Sequence, residues 1–146
     1  MRLAAILCCA LALAGCATGY VKDSIFGGHW DEEGPGELIT VGYNGNGYTK
    51  GEKVEIYLLY RSAEVARERG KPYFTAYQSI RAAIVDAPLS EATVHALGGK
   101  PFGKVYIMLH DGPVPGGLEA TDVLAKYAEA VKRFGTVPAD GQGSAG

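Results

Sequence analysis

The chain has 146 residues, 47% of them hydrophobic, with 14 basic and 16 acidic side chains and a formal net charge of −2 at pH 7. That length supports one domain with its own core, and the charge balance excludes the basic footprint of nucleic-acid binding and a polybasic patch for anionic lipid. Cysteine occurs only at 8, 9 and 16, so the body of the chain has no disulfide and packing must hold it together.

Arg2 followed by the apolar run Leu3–Ala14 is too short to span a bilayer, which takes roughly 20 residues. A basic start, a short apolar stretch and small residues at its end are the layout of a secretory signal peptide. Leu13-Ala14-Gly15-Cys16 resembles the bacterial lipobox, in which the cysteine becomes the lipidated first residue of the mature protein. The resemblance implies removal of residues 1–15, acylation of Cys16 with palmitate-type chains, and a membrane partner held through that lipid. Removing residues 1–15 takes away Arg2 and no acid, so the remaining chain is one unit more negative. Ala17, not aspartate, follows the cysteine, which by similarity to enterobacterial sorting directs the protein to the outer membrane, facing the periplasm.

Residues 16–36 are dense in glycine and lack apolar periodicity, and read as a lipidated N-terminus, tether and irregular lead-in. Glu37–Tyr43, rich in β-branched and aromatic residues, predicts a strand. The glycine-rich turn around Gly45 and Gly47 follows, with one or other glycine expected at positive φ. Thr49 and Glu52 stand at capping-box spacing. Val54, Tyr57, Leu58, Val65 and Ala66 then recur at helical spacing, with Gly70 as the stop. Tyr73–Ile80 predicts a second, aromatic-rich strand. Ser90 is a possible N-cap for a short helix to Leu97, ended by Gly98 and Gly99. Lys104–His110 predicts a compact apolar strand. From Leu118 to Phe134, Ala120, Val123, Leu124, Tyr127, Val131 and Phe134 form one stripe of an amphipathic helix, with basic residues in its last turn. The terminal residues 136–146 read as a disordered tail. The expected architecture is one α+β domain over residues 37–135, a small two-layer sandwich with a short sheet and about two main helices on one face.

The block carrying Gly45, Asn46, Thr49, Arg61, Ala63, Glu64, Gly70, Tyr73 and Phe74 resembles a small family of Caulobacter-type bacterial lipoproteins. The similarity implies a lipoprotein identity and brings no activity with it.

No catalytic constellation is visible. The glycine-rich turn lacks the Gly-Lys-Ser/Thr of a phosphate loop, no G-x-S-x-G elbow occurs, and no cofactor motif is present. Arg61 and Glu64 can meet on one helix face. His29 with Asp31, Glu32 and Glu33 is the one local cluster of metal-ligand types, and reads as solvated loop. His95 and His110 stand apart in sequence. Tyr43, Tyr48 and Tyr77 are candidates for an aromatic contact surface. Two readings follow. The first is a non-catalytic envelope lipoprotein acting by contact with a protein partner or by structural support. The second is a ligand-binding or enzymatic lipoprotein with a pocket between sheet and helices, which a deep pocket lined by Arg61, Glu64 and a histidine, His95 or His110, would favour; Arg61, Glu64 and Tyr48 are the candidate pocket or contact residues.

Overall fold

The computed structural model describes residues 20–24 and 27–135. The signal segment, the lipobox with Cys16, and residues 136–146 lie outside them. The elements in chain order are β1 (Gly28–Glu33), β2 (Ile39–Asn44), α1 (Gly51–Glu68), β3 (Tyr73–Tyr77), α2 (Ile80–Ile84), β4 (His95–Leu97), β5 (Lys100–His110), β6 (Leu118–Glu119) and α3 (Ala120–Gly135).

The expected two-layer α+β sandwich is the architecture observed. The strands form one antiparallel sheet in the order β1-β2-β5-β3-β6, and β4 pairs with the start of β5. β5 is the spine. It pairs with β2 along one side, and along the other with β4 near Lys100–Phe102 and with β3 near Tyr106–His110. Because side chains alternate across a strand, Ile39, Val41 and Tyr43, Val105 and Ile107, and Phe74 and Ala76 all face one layer. There they meet Val54, Tyr57, Leu58, Val65 and Ala66 of α1 and Ala120, Val123 and Val131 of α3. Both predicted apolar stripes are therefore the inward faces. Gly103 lets α1 approach β5 closely, since a β-carbon there would lie 2.8 Å from Leu58 Cδ1. α1 ends in a Schellman motif: Gly70 at φ +69° donates to the Arg67 carbonyl and Lys71 to that of Ala66.

Several expectations are corrected. Thr49 does not cap α1. The helix starts one residue later, its N-cap is Lys50 without a side-chain hydrogen bond, and the Thr49 hydroxyl instead accepts from Asn46 N at 3.0 Å. Neither Gly45 nor Gly47 has positive φ; Gly45 is small because a β-carbon would fall 2.6 Å from the Pro101 carbonyl. The helix expected after Ser90 is absent. A short helix occurs earlier, α2, where Ser79 Oγ accepts from Ala82 N at 3.1 Å. Gly98 and Gly99, at φ +58° and +75°, form instead the two-residue turn of the β4–β5 hairpin. The largest correction concerns residues 16–36. Gly28–Glu33 pair with β2 in full register, Gly28 opposite Asn44 through Glu33 opposite Ile39. The segment read as an irregular tether thus contributes a strand, so the ordered domain begins well before residue 37.

Candidate functional site

Arg61 and Glu64 do meet, inside a larger knot that the sequence did not indicate. Alternation along β1 sends His29, Asp31 and Glu33 toward the helical layer and Glu32 to the opposite face. Arg61, with its side chain only 12% exposed, donates through Nε to Asp31 Oδ1 at 3.0 Å and through Nη1 to Glu64 Oε2 at 3.0 Å. Its fork also grips Glu68, Nη1 to Oε1 at 2.7 Å and Nη2 to Oε2 at 3.0 Å. Burial works against charge on this guanidinium, and the hydrogen bonds to Glu68, Glu64 and Asp31 outweigh it, so its pKa is raised. Arg69 adds a pair with Glu33. One arginine thereby ties β1 to α1.

The same knot holds Tyr20. Its hydroxyl donates to Glu64 Oε2, and its ring stacks on His29 at 4.5 Å between centroids and meets Tyr57 and Tyr60 at 5.3 and 5.2 Å. Burial, then the Glu64 contact, raises the Tyr20 phenol pKa. Burial first and Arg61 second push the His29 imidazole below its ordinary pKa, and its Nδ1 is buried without a hydrogen bond among the described residues. His29 therefore packs against the Tyr20 ring in surroundings that disfavour its charged form. No group of three or more His, Cys, Asp or Glu among the described residues is placed to hold a metal.

The remaining residues do not converge on this knot. Tyr48, 74% exposed, lies in the β2–α1 turn, three helical turns from Arg61. Tyr43 and Tyr77 are not surface residues, at 0% and 2% exposure. Tyr43 faces α1 and packs at a tilt against Tyr57, 4.6 Å between ring centroids, while the Tyr77 hydroxyl donates to Asp86 Oδ1 at 2.8 Å. His110 contacts Thr75 at the far end of β5, and His95 lies tilted beside Phe102 near its start. The space between α1 and the sheet is filled by fully buried side chains, among them Tyr43, Tyr57, Phe74, Leu58 and Ile107.

An aromatic surface does exist, built from other residues. The sheet face opposite α1 and α3 presents Trp30 of β1, His95 of β4, and Phe102, Lys104 and Tyr106 of β5, as the register dictates. Trp30, Gly42 and Lys104 form one cross-strand row. The indole occupies the space over Gly42, where a β-carbon would come within 2.1 Å of Cε2 and 2.2 Å of Cζ2. Beside it lies an open groove of about 560 Å³ lined by Trp30, Asn44, Gln78, His95, Phe102 and Lys104. That falls within the roughly 300–1,000 Å³ of small-ligand sites. Lys104 Nζ sits 5.5 Å from the Tyr106 ring centroid, and Gln78 Oε1 accepts from Thr93 N at 2.8 Å. Trp30 is the one tryptophan of the chain. Its assignment to a lead-in concealed it, although the alternation His29-Trp30-Asp31 facing Tyr43-Gly42-Val41 is a strand signal.

The chain matches no protein-family model, no curated protein and no solved structure. Among the described residues, no helix is long and apolar enough to cross a membrane.

Proposed function

We propose that this chain is an envelope lipoprotein, anchored by lipid on Cys16, that acts by contact through the sheet face its two long helices leave open. The observation that carries this reading is the groove beside Trp30, which joins aromatic walls to convergent polar groups on a surface exposed among the described residues. The lipobox and the similarity to Caulobacter-type lipoproteins support the address, with the outer membrane, periplasmic face, favoured by Ala17.

Docking of Tyr20 refines how such an anchor works. Four peptide steps separate Cys16 from Tyr20, and at roughly 3.6 Å each they reach at most about 14 Å. A lipid on Cys16 therefore holds the domain against the bilayer surface and does not let it roam on a long tether. Acyl chains at about 0.8 kcal/mol per buried methylene make that hold durable when more than one is attached. The test is metabolic labelling of the protein in its own cells with an alkyne fatty acid. Label on the native chain and none on Cys16→Ser is expected; label persisting on Cys16→Ser overturns the anchor.

A further inference from the structure

The envelope reading leaves open what the exposed face touches. We propose that the Trp30 groove binds a sugar ring of a carboxylate-bearing acetamido-sugar polymer, the chemistry of the bacterial cell wall. This rests on the envelope assignment and adds the ligand class.

Trp30 and Phe102 supply apolar walls. They stand on strands separated by β2; the indole lies over Gly42 and Phe102 stands opposite Asn44, and the groove of about 560 Å³ between them has room for a pyranose, whose C–H faces are apolar and whose rim is polar. The rim of the groove matches that pattern. The carboxamides of Asn44 and Gln78 both donate and accept, as does the imidazole of His95. Gln78 is held in orientation by its bond from Thr93 N. Such groups suit hydroxyl and acetamido substituents, which present both donors and acceptors. Charge selects further. No carboxylate lines the groove, Lys104 does, and Lys100 occupies the same face of β5, in a chain whose net charge is −2. The groove therefore favours a neutral or anionic ligand. Nucleic acid fits poorly, because duplex and single-strand binding draw on many phosphate contacts and one lysine lines this site. An anionic bilayer calls for a larger basic cluster.

Trp30 is the chain's own reporter. The full-length lipidated protein in mild detergent, titrated with tetra-N-acetylchitotetraose and with soluble muropeptides, is expected to change its tryptophan emission saturably with both probes. Phe102→Ala should weaken both by about tenfold, the upper range for one aromatic contact. Lys104→Gln should weaken the carboxylated muropeptides and leave the neutral tetramer unchanged, a split that misfolding does not produce. Tyr48→Ser, outside the groove, should bind as the native chain does. No emission change with either probe, or equal weakening of both by Lys104→Gln, overturns the proposal. A photo-crosslinker at position 102, used in cells, separates the two readings. Crosslinks to an envelope protein without sugar binding overturn the glycan assignment and leave the contact reading standing; absence of both overturns the two together.

Discussion

Replacing Gly42 with alanine tests the geometry of the open face directly. A β-carbon at Gly42 would lie 2.1 Å from Trp30 Cε2 and 2.5 Å from Nε1, whereas nonbonded carbons settle near 3.5–4.0 Å. The indole must retreat by roughly 1.5 Å or swing off the sheet. An aromatic side chain buries 150–250 Å² when fully packed, so a half-buried tryptophan forfeits roughly 100 Å² by leaving. At about 25 cal/mol per Å² that costs about 2.5 kcal/mol. Alanine is favoured over glycine within a strand by about 0.5–1 kcal/mol, which leaves a net loss of about 1.5–2 kcal/mol. Denaturant unfolding followed by circular dichroism measures the loss, and a red shift of the single-tryptophan emission reports the displaced ring. The control is a double-mutant cycle with Trp30→Ala, where Gly42→Ala should become stabilising by about 0.5–1 kcal/mol. Equal effects in the two backgrounds, or an emission maximum that does not move, would refute the reasoning.

Arg61→Lys should destabilise by about 2 kcal/mol, because an ammonium cannot reproduce the fork on Glu68 while also reaching Asp31 and Glu64. Hydrogen exchange should show β1 loosening before the rest of the sheet, and uniform loosening would count against the knot as β1's tie. His29 gives a pH dependence with a definite sign. Burial lowers its folded-state pKa below the unfolded value of about 6.5, so between the two values the unfolded chain binds a proton that the folded chain does not. Stability is then full above about pH 6.5 and falls as pH drops through the window beneath it; His29→Gln should flatten that slope in denaturation curves taken across the window. Tyr57 has a buried hydroxyl without a hydrogen-bond partner among the described residues, and burial lifts its pKa to about 12. Tyr57→Phe should therefore be neutral or stabilising, by up to about 1 kcal/mol, and a clear loss of thermal stability would reveal a partner for that hydroxyl.

Much of the helical layer was legible because helical periodicity is a local property. Val54, Tyr57, Leu58, Val65 and Ala66, and the Ala120–Phe134 stripe, each define a face without reference to any other segment, and a two-layer α+β fold follows from burying those faces on a sheet. The lipobox resemblance is local too, and lies outside the described residues. What tertiary structure decided is everything that depends on pairing. β1 is charged and glycine-flanked, and becomes a strand because β2 offers it a full register while Arg61 pairs with its Asp31 and Arg69 with its Glu33. Thr49 carries a capping residue's chemistry, but Asn46 takes its hydroxyl first. Gly98-Gly99 stops a helix or turns a hairpin with equal ease in isolation; the complementary edge of β5 selects the hairpin. Tyr43 and Trp30 make the point most plainly. Each lies on a strand where alternation alone offers two faces, and only the layer on which the helices settle buries Tyr43 and leaves Trp30 at the open groove.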